Sequence, residues 1–600
     1  MTPTEYLQTI RNHMYTQQID AYIIPSSDPH QSEYLADYWK ARAQFSGFTG
    51  SAGTLIITQN HAGLWTDSRY FLQAEEELKD GPITLHRQQI PHAPEHIDWL
   101  CTHLQQQSAE KKKRSKVGIN GWLFSVGQRQ FLQKKLATAN IDLLTDIDLI
   151  DVAWPNRPAL PQNPVFRLDL KYTGVTSSEK LAQIRAGMES LGANAYLVST
   201  LDDIAWTLNL RGSDIHANPV FVSYLFIEKD SATLFIDTKK ITLPLQKELV
   251  QEGIQLLAYD ELPGFLARPY ATTKVLLPIS TTSWNAYKLI HPDQVVRGKN
   301  LIAELKAVKN ETEVAQIKKA MQKDGVALTR LFRWMEQTLS QRAIPEAEIA
   351  TQLASFRKAQ GHYFGESFDA IVGYQGNGAI IHYRPEAGKC ANVEQEGILL
   401  LDSGGQYLEG TTDITRTIAL SPPSAEQKTA YTAVLKGHVE LASIQFPAGT
   451  TGVQLDTLAR MHLWNAGLNY GHGTGHGVGA FLNVHEGPQG FTANPKNSRA
   501  SVPFQAGMLT SNEPGFYKTN AFGIRIENLI LCQPAATAGF LRFETLSLFP
   551  IDIQLIDWEM ITEAEKTWLN EYHARVLLEL SPLLNEEEQA WLAEKCRAIQ

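Results

Sequence analysis

Cysteine is scarce in this chain: four in 600 residues, Cys101, Cys390, Cys532 and Cys596, with no CxxC pair and no zinc-finger spacing. That excludes a disulfide framework and a thiolate zinc site, and it points to a reducing compartment. Long apolar runs are absent as well; none approaches the ~18 residues of a membrane span. The opening stretch MTPTEYLQTIRNHMYTQQIDAYIIP has helical periodicity but no basic leader followed by an apolar core, so no secretory signal is expected. Positive charge is in deficit, with 54 Lys and Arg against 64 Asp and Glu and a net charge of −10. This disfavours nucleic acid as a partner. The one basic run, Lys111-Lys112-Lys113-Arg114, follows a polar Gln/Ser stretch and reads as a solvated loop. A cytoplasmic protein without membrane contact is the expectation.

What is present is ordinary globular material, 43% apolar and 20% charged. The length suggests about three to four domains. One boundary is plain: Trp154–Pro164, WPNRPALPQNP, carries four prolines in eleven residues. Proline removes amide donors and stiffens the chain, so this is a linker. A second boundary falls near 300–310, where Asn310 with Glu313 three residues on resembles a capping box. Val314, Ile317, Met321, Leu328, Leu331 and Met335 then recur at helical spacing. The expected domains are 1–155, 165–305 and 310–600. The first two look like diverged α/β copies. Asp20-Ala-Tyr-Ile-Ile24 resembles Asn194-Ala-Tyr-Leu-Val198, and Gly63-Leu-Trp-Thr-Asp67 resembles Ala232-Thr-Leu-Phe-Ile-Asp237. From Thr562 the chain reads as a helical, charged tail, fit for packing or for dimerisation.

Five side chains of the last third carry the chemistry: Asp402, Asp413, His476, Glu513 and Glu527. Asp402 ends the apolar strand Gly397–Asp402, and Asp413 opens a second strand that could pair with it as a hairpin. His476 lies in Gly471-His-Gly-Thr-Gly-His-Gly-Val-Gly479, and Glu513 stands before Pro514, where pairing stops. Glu527 lies on Gly523–Ile530, read as one alternating strand with Ile524 and Ile526 on one face and Arg525 and Glu527 on the other. Any one of these carboxylates alone is better read as a salt bridge or a solvated edge. Together, four carboxylates and an imidazole form a hard ligand set that suits two divalent cations of the Mn, Co or Zn type. Two such cations about 3.5–4 Å apart activate water and polarise a carbonyl, which makes hydrolysis the default reaction. The run Gly475–Ala480 also fits a loose G-x-G-x-x-A pattern. It follows no clear apolar strand and has no acidic residue near position 500, so its glycines are read as room for backbone beside a metal site.

The ordered set Asp402, Asp413, His476, Glu513, Glu527 resembles the dimetal "pita-bread" peptidases. Gly378-Ala-Ile-Ile-His-Tyr383, the 471–479 run, Asn483-Val-His-Glu-Gly-Pro488 and Asn512-Glu-Pro-Gly-Phe-Tyr517 narrow the resemblance to the cytosolic, three-domain Xaa-Pro aminopeptidases (aminopeptidase P). Trp65-Thr-Asp-Ser-Arg-Tyr-Phe71 and Phe543–Ile551 extend it over nearly the whole chain. It implies an α/β and α+β architecture, two creatinase-like N-terminal α/β domains followed by a pita-bread catalytic domain. It implies two divalent metals, Mn²⁺ in the usual assignment with Zn²⁺ or Co²⁺ as alternatives, bridged by Asp413 and Glu527. Asp402 would complete one metal, His476 and Glu513 the other.

The implied reaction is release of the N-terminal residue from short Xaa-Pro-Yaa peptides by a metal-bridged water. Glu513 would shuttle the proton, His485 would bind the carbonyl and help stabilise the tetrahedral oxyanion, His382 would stabilise the same intermediate or position the backbone around the scissile bond, and His472 would line the proline pocket or merely pack. Arg525 would orient a metal ligand through an ion pair from the face it shares with Glu527. Arg69 matches an N-domain arginine that reaches the substrate, with a plain surface role as the alternative. A homodimer is implied by the resemblance alone. Two other readings stay open: a prolidase acting on Xaa-Pro dipeptides, and an inactive pita-bread module that binds peptide or protein. His362 and His438 carry no motif and are assigned nothing.

Overall fold

A computed structural model describes residues 1–89, 93–111, 113–268 and 273–599. Lys112 of the basic run lies outside the described residues. The chain forms two compact units: Met1–Arg167, Val175–His216 and Val220–Ile302 in the first, and Leu168–Gly174, Ala217–Pro219 and Ala303–Gln600 in the second.

The first unit holds two six-stranded sheets. One contains β1 (Ala21–Pro25), β2 (Thr54–Thr58), β3 (Ala62–Thr66), β4 (Thr84–Arg87), β5 (Lys116–Gly118) and β6 (Asp142–Leu144), in the order β4-β3-β2-β1-β5-β6. The other contains β7 (Ala195–Val198), β8 (Ser223–Glu228), β9 (Ala232–Ile236), β10 (Ile254–Leu257), β11 (Val275–Pro278) and β12 (Val295–Gly298), in the order β10-β9-β8-β7-β11-β12. Strand for strand the two orders are the same. So is the sense of each pairing, with two antiparallel pairs in the middle flanked by parallel ones. Tyr22 and Tyr196 fall at matching places in β1 and β7, Trp65 and Phe235 in β3 and β9, and all four are buried. The short echoes in the sequence therefore mark a real duplication. β1 and β7 are apolar along their length because both faces are covered, the condition that erases alternation. The proline-rich segment between the sheets contributes no strand or helix from Trp154 to Pro164.

The second unit opens with α1 (Glu311–Leu339), started by the expected reciprocal cap: Glu313 N donates to Asn310 Oδ1 at 2.9 Å, and Asn310 N to Glu313 Oε2 at 3.0 Å. α2 (Glu346–Lys358) follows. Three antiparallel strands come next: β13 (Ile371–Tyr374), β14 (Ile398–Ser403) and β15 (Ile414–Ala419). Then come α3 (Ala425–Ser443), β16 (Gln445–Pro447), α4 (Gly452–Asn465), β17 (Gly475–Gly477), β18 (Glu486–Phe491), β19 (Leu509–Asn512), β20 (Gly515–Lys518), β21 (Phe522–Arg525), β22 (Asn528–Pro534) and β23 (Phe540–Thr545). Six of these strands form one sheet, β16-β23-β22-β19-β17-β18, while β20 and β21 pair only with each other.

Glu527 is where the sequence reading needs correction. The run 523–530 is not one alternating strand. It breaks at Ile526 and Glu527, so that β21 and β22 join different sheets, and all eight residues are buried. At the break Glu527 N donates to Thr415 O at 3.1 Å and Ile526 N to Pro514 O at 3.3 Å. The tail packs: Leu569, Tyr572, Val576 and Leu580 of α5 (Glu563–Leu580) and Leu592 of α6 (Glu586–Lys595) lie in one core with Ile524, Ile526 and Leu529. Among the described residues no helix is long and apolar enough to cross a membrane.

Candidate metal centre

The β14–β15 hairpin pairs Asp402 with Thr415 and Ser403 with Ile414. Residues 404–413 between them carry the short antiparallel pair Gly405–Tyr407 and Gly410–Thr411 and return Asp413 to the foot of β15, where Asp402 acts on it. β17 enters the larger sheet between β18 and β19 and carries His476. Glu513 stands just past β19, and Glu527 in the break between β21 and β22. The five residues named from sequence thus come from the ends of two sheets.

Asp413, His476 and Glu527 each place a ligand atom within 4.8 Å of the others. His476 Nε2 is 3.5 Å from Asp413 Oδ2 and 3.4 Å from Glu513 Oε1. The other ring nitrogen, Nδ1, lies 3.1 Å from Gly477 O. A proton on Nδ1 donated to that carbonyl leaves the Nε2 lone pair facing the carboxylates, the arrangement of a metal-bound histidine. Two glycines permit it. A Cβ on Gly475 would run into Ser511 O, and one on Gly477 into Glu486 O, so neither strand could flank β17 as closely.

Electrostatics mark the cluster as unsatisfied by protein alone. Burial, then Asp402 and Glu513, push the Asp413 carboxyl well above the ordinary carboxylate range. Burial, then Asp413, Asp402 and Glu513, do the same to Glu527. Glu513 is pushed up to about 7, chiefly by burial, with Arg525 and His485 opposing and Asp402 adding. Arg525 is the nearest counter-charge, its Nε and Nη2 donating to Asp402 Oδ2 at 3.1 and 2.5 Å. Asp402 Oδ1 is buried with no hydrogen-bond partner. An orphaned carboxylate oxygen, three neighbours driven towards protonation and one imidazole lone pair fit hard divalent cations. A second acid–imidazole group, Glu440, His462 and Glu565, does not: Lys436 Nζ already donates to both oxygens of Glu565 at 2.7 Å.

Around the ligands lies a set of hydrogen-bond partners, only part of which the sequence suggested. Thr415 Oγ1 donates to Glu527 Oε2 at 2.7 Å, and Ser511 Oγ to Glu513 Oε1 at 3.2 Å. Arg525 makes the expected ion pair to a candidate ligand, and its partner is Asp402. Its Nη1 donates to Tyr517 Oη at 2.6 Å, and Tyr517 Oη lies 2.9 Å from His472 Nε2. His472 is thereby tied through Tyr517 and Arg525 to Asp402. The ring of His485 meets that of His476 edge-on at 4.2 Å. His382 sits in the turn Ile380–Tyr383, closed by Tyr383 N donating to Ile380 O at 2.9 Å. Arg69 belongs to the first unit, where Asp67 takes its Nε and Nη2, both at 2.8 Å.

His438, given no role from sequence, lies directly behind the ligands. Its Nδ1 is 3.1 Å from Asn512 O, and Asn528 Nδ2 donates to its Nε2 at 3.0 Å. Asn512 Nδ2 returns a bond to His438 O at 2.9 Å. One neutral ring therefore joins the residue before Glu513 to the residue after Glu527. Burial, then Arg416, hold it neutral by pushing its pKa down to about 3. Arg416 completes this layer by donating to Glu527 O at 2.7 Å and Asn528 Oδ1 at 2.9 Å. No pattern in the chain separates His438 from any other histidine on a helix. His438→Ala should weaken metal binding roughly 10–100-fold, the usual cost of losing a group that orients ligands. His438→Gln should recover part of it, as read by metal titration of the two variants beside the parent.

Comparison with known proteins agrees over the whole length. Residues 315–534 match metallopeptidase family M24 and 539–599 the C-terminal region of that family. Residues 7–151 and 156–313 each match a creatinase/prolidase N-terminal domain. Aminopeptidase P2 of Arabidopsis thaliana is 40% identical across 97% of this chain and 86% of its own. A probable Xaa-Pro aminopeptidase P of Laccaria bicolor is 41% identical across 99% of this chain and 94% of its own. The solved X-prolyl aminopeptidase of Caenorhabditis elegans, described as a cytosolic enzyme with a di-nuclear active site, superposes with a TM-score of 0.94. It is 34% identical, with all of both chains covered.

Proposed function

The chain belongs to metallopeptidase family M24, in its aminopeptidase P group, and we propose that it is a metal-dependent aminopeptidase that releases the N-terminal residue of Xaa-Pro-Yaa peptides. The observation that carries this reading is the meeting of Asp413, His476, Glu513 and Glu527, with a buried, unpartnered Asp402 oxygen whose charge acts on Asp413. Likeness to aminopeptidases P from end to end, N-terminal sheets included, favours this over a dipeptidase. With all five ligands in place, a ligand-free binding module is disfavoured.

Asp413 and Glu527 would hold both cations, Asp402 one, and His476 with Glu513 the other; Mn²⁺ is the proposed ion. When bound, such ions lower the pKa of water and polarise a carbonyl. The chain's own groups do the rest. Glu513, which accepts from Ser511 Oγ and faces His476 Nε2 at 3.4 Å, would take a proton from the nucleophile and pass it to the leaving amine. That transfer matters because the proline nitrogen leaves poorly as an anion; with the proton delivered, the C–N bond breaks and it departs as a secondary amine. His485, edge-on to His476, and His382 would donate to the oxygen that gains charge as the carbonyl becomes tetrahedral. The chain Asp402–Arg525–Tyr517–His472 fixes one ligand and holds the His472 ring for the proline. A cytoplasmic location and a homodimer are proposed on the family resemblance; light scattering tests the second.

Substrate length decides between the two peptidase readings. Mn²⁺-loaded chain should release arginine from Arg-Pro-Pro and leave the Arg-Pro dipeptide essentially uncut. Cleavage of the dipeptide in preference to the tripeptide would make it a prolidase.

A further inference from the structure

Three histidines of the first unit, His61, His86 and His103, pack with Trp65 and Trp99 and have no role in the peptidase reading. β3 and β4 run parallel, with Trp65 opposite His86. Alternation places Gly63 and Trp65 on one face of β3, with His61 just ahead of the strand. The helix Glu95–Lys111 brings Trp99 and His103, one turn apart, against the same rings. His86 stacks on Trp65 at 3.9 Å with planes 10° apart, and His103 on Trp99 at 4.6 Å and 13°. Trp99 also touches His61 at 4.9 Å. Gly63 makes the stack possible, since a Cβ there would strike both Trp65 and His86.

Fixed in this way, His61 Nε2 stands 3.1 Å from His86 Nε2. The two rings meet nearly head-on, with centroids 5.3 Å apart, so a cation held by both nitrogens at bonds of about 2.1 Å keeps nearly this span but requires each ring to turn off the line they share. Burial pushes His86 down to about 4, with His61 adding. His61 is lowered by burial, then by His103 and Arg11. Both rings are thus uncharged at neutral pH, the state that binds metal. Without a cation, one ring donates its Nε2 proton to the other. His103 is already engaged, with Gln107 Nε2 2.9 Å from its Nε2.

We propose that His61 and His86 chelate a divalent transition cation of the imidazole-preferring class, Zn²⁺, Ni²⁺ or Cu²⁺, separately from the carboxylate centre. Two neutral nitrogens select such ions over Mn²⁺, which favours oxygen. The cation replaces the shared proton, which moves to Nδ1 of its own ring, so no proton is released and nothing is oxidised. Binding is expected to be moderate, with water filling the remaining positions.

The test uses the full chain with its carboxylate centre filled with Mn²⁺. Equilibrium dialysis against Ni²⁺ should load one Ni²⁺ per chain without loss of Mn²⁺, and indole fluorescence should be quenched because Trp65 and Trp99 touch the ligand rings. His61→Gln and His86→Gln should each weaken that uptake about tenfold or more and leave peptide hydrolysis unchanged. In the unaltered chain, Ni²⁺ should shield His61 and His86 from carbethoxylation, read by mass spectrometry, which keeps the test independent of how the variants fold. Uptake matched by Mn²⁺ loss, uptake equal in the variants, or unshielded rings would each overturn the proposal and leave a histidine pair joined by a proton.

Discussion

Asp413→Asn is expected to abolish peptide hydrolysis and to make the metal-free chain more resistant to heat. Both effects come from one placement. The Asp413 carboxylate is buried at the foot of β15, faces His476 Nε2 at 3.5 Å and is repelled by Asp402 and Glu513. With cations present it would bridge them, and an amide cannot supply that charge. The loss in kcat/KM should be at least ~10³-fold, the upper range for deleting one preorganised electrostatic group. Without cations the same carboxylate is a liability, because desolvation and like charge outweigh what Glu527 and Arg525 offset. The neutral amide removes that cost. Thermal melts of metal-free parent and variant at neutral pH should place the variant higher, and addition of Mn²⁺ should reverse the order. A variant melting below the parent in the absence of metal would show that the carboxylate cluster is not strained.

Glu513→Gln is expected to lower kcat by roughly 10²–10⁴. Glutamine keeps the shape and the bond from Ser511 but cannot accept a proton. KM should change far less, which separates proton transfer from peptide binding. The same residue shapes stability. Its folded carboxyl titrates at about 7 against an ordinary 4.5. Between those values the folded metal-free chain keeps a proton that the unfolded chain has released. The stability this group contributes is full below about 4.5 and is lost as pH climbs through about 7. The Tm of the metal-free parent should therefore fall across that window, and the fall should be shallower in Glu513→Gln. An equal slope in both would assign the pH dependence to other groups.

The legible and illegible parts of the site divide along a physical line. The five candidate ligands stood out because each lies in a short string whose polarity conflicts with its apolar, strand-forming surroundings: Asp402 after Ile-Leu-Leu-Leu, Glu513 before a proline, His476 among glycines. The duplication was readable for a similar reason, since Tyr22 and Tyr196 fill the same buried place in two sheets of one topology. The break at Ile526–Glu527 was hidden because an alternating pattern carries no sign of a strand changing sheets. His438, Tyr517 and Asn528 act through contacts 8 to 90 residues away along the chain. No local spacing encodes such meetings; only packing of α3 and β20 against the ligand strands creates them.

The most direct test is a titration of metal-stripped chain with Mn²⁺, following free arginine released from Arg-Pro-Pro. Activity should be absent at the start, rise with added metal and level off at two equivalents per chain, with Asp413→Asn flat throughout. Activity in the stripped chain, a plateau reached by Asp413→Asn as well, or no release at any loading would contradict a paired-cation Xaa-Pro aminopeptidase.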